Sequence, residues 1–92
     1  MIRSFRCPDT ELLSKGIRVK RFVNIEAVAR RKLRLLEIAA RLDDLKIPPG
    51  NRLEALKGRR AGRHSIRIND QWRVCFRWSA AGADDVEIID YH

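Results

Sequence analysis

The stretch "SIRINDQWRVCFRW", residues 65–78, holds two runs in which every second residue is apolar: Ile66 and Ile68, then Trp72, Val74, Phe76 and Trp78. Period-two alternation marks strands with one face on a core, and the "NDQ" between the runs has the composition of a turn. Parity then sets the register. Antiparallel partners share a face, so the even-numbered residues of both runs reach one core only if Ile68 opposes Trp72. That selects a three-residue loop, Asn69 to Gln71, over a two-residue one. The same register gathers the odd-numbered side chains on the opposite face, with Arg67 against Arg73, Arg63 against Arg77, and Ser65 and Cys75 between them. Neither strand contains a carboxylate. Like charges placed directly opposite are destabilising, so four guanidiniums without an acid read as an anion-binding surface rather than a solvated face whose Arg stems merely cover apolar area.

Working outward, "LKGRRAGRHS" at 56–65 adds Lys57, Arg59, Arg60 and His64 on a loop whose Gly58 and Gly62 allow backbone to approach a phosphate. Before it, Pro48-Pro49-Gly50 closes off a helical pattern in which Ile25, Ala29, Leu33, Leu36 and Ala40 recur; the spacing predicts a helix over 24–43 with Asn24 as N-cap. "PDTELLSKG" at 8–16 reads as a short helix capped by Asp9 and stopped by Gly16, and "MIRSF" at 1–5 as a short strand. A last strand is expected over about 85–91.

The chain of 92 residues is expected to be one domain, 1–92, with a single modest core. Its twenty Lys and Arg against twelve Asp and Glu give a net charge of +8, while 45% hydrophobic residues argue for a folded polycation rather than a basic tail. Fifteen of the twenty cations are Arg and five are Lys, and the planar Arg fork suits phosphate. Cys7 and Cys75 lie far apart with no metal-type spacing, so free buried thiols are expected and no metal site. No dinucleotide fingerprint, P-loop or nucleophilic triad appears, so no cofactor is expected. The short apolar runs and the lack of a signal-peptide pattern point to a cytoplasmic chain that does not engage a membrane.

What remains is cations beside acid–base groups, the last of them in the closing "EIIDYH", where a β-branched run leads to Asp90, Tyr91 and His92. A metal-free ribonuclease needs little more: a base for the ribose 2′-OH, an acid for the leaving 5′-oxygen, and cations for the charge that builds on phosphorus.

"MIRSF", "NRLEALKGRRAGRHSIRINDQWRVCF" and the final "VEIIDYH" together resemble the HigB-like branch of the RelE/ParE superfamily of bacterial toxins, most specifically in "LKG", "INDQWRVCF" and "DYH". The resemblance covers essentially the whole chain. It implies an α+β fold, with two N-terminal helices packed on a small, mostly antiparallel sheet. It also implies the toxin of a type II toxin-antitoxin system: an endonuclease, independent of metal, that cuts mRNA on the ribosome and so inhibits translation. The partners implied are the ribosome, mRNA and a HigA-like helix-turn-helix antitoxin, with operator DNA engaged only through the antitoxin complex. Position by position, it places Asp90, Tyr91 and His92 in the active site, with Lys57 and Arg73 at the scissile phosphate. Glu54 stands where nuclease members often have His, so it is either a carboxylate general base or a change that slows or redirects cleavage. Arg59, Arg60, Arg63, His64, Arg67 and Arg77 complete the expected RNA-binding set. Two other functions stay open: the same superfamily resemblance also allows a ParE-like gyrase poison, and the arginine face alone allows a non-catalytic basic module that binds nucleic acid.

Overall fold

The computed structural model describes residues 1–90. Two helices, α1 (Pro8–Ser14) and α2 (Glu26–Ile38), pack on a four-stranded sheet formed by β1 (Glu54–Ala55), β2 (His64–Arg67), β3 (Trp72–Ser79) and β4 (Gly82–Asp90). The strands lie in sequence order and every neighbouring pair is antiparallel. This is the α+β architecture expected.

The β2–β3 register is the one that parity requires. His64 opposes Phe76, Ser65 opposes Cys75, Ile66 opposes Val74 and Arg67 opposes Arg73, and the Ile68 N–H closes the turn on the Trp72 carbonyl at 2.9 Å. Asn69 Oδ1 accepts the N–H groups of Gln71 and Trp72, both at 2.8 Å, which holds the three-residue loop shut. The ladder stops at His64 and Phe76, one residue short of the expected facing of Arg63 and Arg77. Even-numbered Ile66, Ile68, Val74 and Phe76 are buried with Ile88 from β4 against Leu13, Ala29, Leu33 and Leu36 from the helices. That is the core. Phe22 meets Trp72 edge to face at 5.5 Å, closing its end near the turn.

Both helices differ from expectation at their ends. Pro8, preset for the first helical position, starts α1, with Cys7 rather than Asp9 in the N-cap position. Gly16, at φ +86°, stops it as expected. The buried Thr10 hydroxyl accepts the Ile88 N–H at 3.0 Å and so fastens α1 to β4. In α2 the N-cap position falls on Ile25, because a 3₁₀ turn over Lys20–Phe22 leads into the helix and the Phe22 carbonyl takes the Ile25 N–H at 3.0 Å. The helix ends at Ile38, not near 43. Asp44 captures the N–H groups of Ala40 at 2.9 Å and Arg41 at 3.0 Å, and these bonds hold its carboxyl below the usual range. The apolar residues beyond Ile38 then serve a separate 3₁₀ turn, Leu42–Lys46, that buries Leu45.

The fully buried Asn51 turns the chain toward the sheet. Its Nδ2 donates to the carbonyls of Leu45 at 3.1 Å and Ile47 at 3.3 Å, and its Oδ1 accepts from Lys32 of α2. Burial and the nearby Arg31 and Arg67 push the Lys32 ammonium below its ordinary pKa. Arg52 follows in the left-handed region at φ 45°, which directs its carbonyl into the sheet.

"MIRSF" does not form a full strand. It runs parallel to β4 through isolated bridges, Ile2 to Ala83 and Phe5 to Val86. The approach depends on Gly82, at φ +131°, where an added Cβ would lie 2.3 Å from the Met1 carbonyl oxygen. Gly82→Ala should therefore destabilise the fold by at least the roughly 1–3 kcal/mol of a strained backbone position, because backbone rather than a flexible side chain must move. Thermal unfolding of the variant against wild type checks this.

Candidate functional site

The odd-numbered face of β2 and β3 is not free of acid. Four carboxylates come from outside those two strands, one for each arginine. Arg63 Nη1 donates to Glu87 Oε1 of β4 at 3.0 Å, and Arg67 pairs with Asp70 of the turn. Arg73 Nη2 lies 3.6 Å from Glu54 Oε1 of β1, and Arg77 Nε lies 3.4 Å from Asp85 Oδ2 of β4. A face of like charges is costly, and the neighbouring elements relieve it. The expected carboxylate-free anion surface is thus corrected: these guanidiniums already hold anions.

Two of them are also deep. Arg63 is 4% exposed and Arg73 8%, so the expectation that Arg73 points outward is overturned. Its Nε donates to Ser65 Oγ at 2.7 Å and its Nη2 to the Arg52 carbonyl at 2.7 Å. A buried guanidinium requires such acceptors, and the left-handed turn at Arg52 supplies one.

A single row crosses the sheet beside this arginine. Glu54 opposes Ser65, Ser65 opposes Cys75 and Cys75 opposes Glu87. Ser65 and Cys75 are fully buried between the two carboxylates. Burial pushes the Cys75 thiol up to about 11, with Glu87 acting in the same direction against Arg60, Arg63 and Arg73. This cysteine is a structural thiol. Cys7, half-buried, sits below the ordinary thiol value: burial raises it, but hydrogen bonds at Thr10 and Asp9 and the Arg21 charge outweigh that effect.

The remaining expected site residues divide clearly. The side chains of Lys57 and Arg59 are exposed and form no hydrogen bond or ion pair among the described residues. Arg60 lies 3.6 Å from Glu87. His64 does not join the arginine face; it shares the even face with Phe76, ring centroids 6.2 Å apart in a stacked pair, with its Nδ1 buried. Strand alternation turns this half-buried side chain to the core side, away from the arginines it was grouped with. Asp90 opposes Trp72 at the end of β4, next to the row of Arg73 and Ile89, and its Oδ2 accepts from Gln71 Nε2 at 3.0 Å. Tyr91 and His92 lie outside the described residues. Glu87, Ser65 and the Arg52 carbonyl were not singled out by the sequence. An odd-numbered carboxylate in the last apolar run was the available signal for Glu87. Among the described residues, no three His, Cys, Asp or Glu side chains gather as metal ligands do.

A small antiparallel sheet backed by two helices, with a basic face opposite them, defines a RelE-like toxin fold. Residues 15–92 match the family model described as the RelE-like toxin of type II toxin-antitoxin system HigB, and the chain belongs to that family. It is 49% identical over 55 residues to Toxin HigB-1 of Vibrio cholerae serotype O1, a match covering 60% of this chain and 58% of that one. An uncharacterized protein of Haemophilus influenzae is 34% identical over 55 residues, covering 60% of this chain and 54% of that protein. The chain thus spans little more than half the length of these relatives. A solved YoeB/ParE toxin from Agrobacterium tumefaciens is 24% identical, with a TM-score of 0.49 over 79% of this chain and 85% of that one.

The burial of Arg73 changes what its removal should do. Arg73→Ala leaves Ser65 and the Arg52 carbonyl without their donor, so stability should fall by about 1–3 kcal/mol, where an outward-facing side chain would move it by no more than about 0.5 kcal/mol. Chemical denaturation of the two proteins measures the difference.

Proposed function

We propose that this chain is a ribosome-dependent mRNA endonuclease, restrained by a HigA-like antitoxin, folded as one domain. The supporting observation is a division among the cations. Most guanidiniums of the sheet face are held by carboxylates, whereas Lys57 and Arg59 stand unpaired on the glycine-punctuated loop between β1 and β2. Fixed cations form the floor, and free cations stand where a phosphate can reach them. The net charge of +8 favours docking on ribosomal RNA, and the ribosome can hold mRNA in the in-line geometry that a chain of this size cannot impose alone.

In this reading Lys57 meets the scissile phosphate, and Arg73 acts from its buried seat as a preorganised charge. Asp90, Tyr91 and His92 supply the proton transfers. Glu54, half-exposed and 3.6 Å from Arg73, is a candidate base or a brake on phosphate binding. Arg59 leads the RNA contacts, and Arg60, Arg67 and Arg77 contribute through ion pairs that RNA must share. Arg63 supports them from below. Operator DNA is reached only through the antitoxin complex. No helix among the described residues is long and apolar enough to cross a membrane, and a cytoplasmic site of action is part of the proposal.

The deciding measurement is 5′-end mapping of an mRNA translated with and without the protein. Discrete cuts that vanish when translation is blocked are expected. Intact mRNA with gyrase-dependent DNA breaks would instead indicate a gyrase poison, and salt-sensitive binding without either effect would indicate a non-catalytic module. Within the endonuclease reading, Lys57→Ala should lower cleavage by about 10²-fold, as loss of one preorganised donor does, while the melting temperature holds. Removing His92 should lower cleavage by about 10²–10⁴-fold, the usual contribution of a general acid or base. A protein ending at Tyr91 that cuts at the wild-type rate would remove His92 from the mechanism.

A further inference from the structure

Glu87 is the most heavily engaged carboxylate of the arginine face. Its Oε1 lies 3.0 Å from Arg63 Nη1 and 3.6 Å from Arg60 Nη1, and its Oε2 lies 4.0 Å from Arg6 Nε. The Glu87 side chain is 17% exposed and that of Arg63 is 4% exposed. Three cations from three parts of the chain thus meet one anion on β4. Arg6 belongs to the N-terminal segment, whose own N–H groups bind β4, and Arg63 immediately precedes β2.

Arg60 matters most for function, because it comes from the loop that presents Lys57 and Arg59. That loop takes its shape from local bonds, Arg60 N–H to the Lys57 carbonyl, Ala61 N–H to Gly58 and Arg63 N–H to Arg60. These bonds bend the chain but do not fasten it to the sheet. Gly58 and Gly62, at φ +66° and +88°, add backbone freedom on either side. Among the described residues, the ion pair of Arg60 with Glu87 is the side-chain polar contact that joins loop residues 57–62 to the sheet, beyond the Leu56 N–H to Arg63 carbonyl bond at the loop's base.

We propose that Glu87 is a positioning residue: it anchors the Gly58–Gly62 loop to β4 through Arg60, and so fixes where Lys57 and Arg59 offer their charges to RNA phosphates. The inference deepens the endonuclease reading and rests on it for its consequence, though the anchoring itself does not. A cation held in place stabilises developing charge more than one that must first be ordered, so the anchor acts on catalysis without touching substrate.

The test compares wild type, Glu87→Gln, Glu87→Ala and Arg60→Gln as full-length proteins. The first readout is tryptic cleavage after Arg59 under native conditions, against cleavage after the exposed Lys15 as a reference for general loosening. Glu87→Gln should raise the Arg59 rate about tenfold or more over the reference. Arg60→Gln should do the same; it breaks the tie while leaving Arg63 paired, so it serves if the Glu87 variants fail to fold. The second readout is cleavage of translated mRNA, which should fall at least tenfold in Glu87→Gln. In Glu87→Ala it should recover in part with added acetate, which can occupy the vacated anion position; a purely structural defect would not respond. Equal acceleration at Arg59 and Lys15, an unchanged Arg59 rate in Arg60→Gln, or full mRNA cleavage by a protein with a loosened loop would each overturn the proposal. If wild type itself cuts no mRNA, the endonuclease reading fails and the tryptic comparison still decides the anchor.

Discussion

A guanidinium buried to within a few percent of full cover must find acceptors for its donors and an anion for its charge. In this chain two such groups, Arg63 and Arg73, lie on the sheet face away from the helices, and much of the surrounding structure can be understood as meeting that demand. The two-residue strand β1, by pairing with β2, brings the Glu54 carboxylate to Arg73. The left-handed Arg52 delivers a carbonyl to the same group. On the other edge, β4 carries Glu87 to Arg63. The apolar core holds the sheet to the helices, and the buried cations hold the sheet's outer face together.

This arrangement separates two jobs that net charge alone would merge. Arginines satisfied by carboxylates contribute a weak outward field, because each pair is nearly neutral at a distance. Unpaired cations keep their full field. The attraction of the face for an anion therefore depends less on how many arginines it contains than on which of its cations lack a counter-ion. Among the described residues Lys57 and Arg59 meet that condition, while Arg63 does not. Where an exposed pair such as Arg77 and Asp85 meets a phosphate, the carboxylate and the phosphate compete for one cation, and the gain is the difference between the two interactions.

The hairpin was legible in the sequence because one face of it is buried: with Ile66, Ile68, Trp72, Val74, Phe76 and Trp78 all even-numbered, a one-residue slip of register would have turned one strand's share of the core to the other face. Helix ends were less legible. Ala39, Ala40 and Leu42 continue the apolar period past Ile38, and only a carboxylate at Asp44, acting on backbone from outside the helix, marks the stop. The arginine face was found, but its character was misread for the same kind of reason. The alternation names the residues on a face, not the side chains that reach it from other strands, and all four counter-ions come from outside β2 and β3. β1 left no periodic trace, since two residues cannot show a period.

Glu54 brings these points together. It stands 3.6 Å from a guanidinium that is already hydrogen-bonded to Ser65 and the Arg52 carbonyl. A neutral imidazole there would leave Arg73 with acceptors but with less counter-charge, and so with more of its field available to a phosphate. The carboxylate reverses that balance: it steadies the buried cation in the resting protein and opposes an incoming anion. A carboxylate here thus favours the fold at the expense of anion affinity, because one guanidinium cannot give its full charge to both. Any anion that approaches Arg73 must be held by other cations while Glu54 keeps its share, and among the described residues Lys57 and Arg59 are cations whose side chains are not already paired.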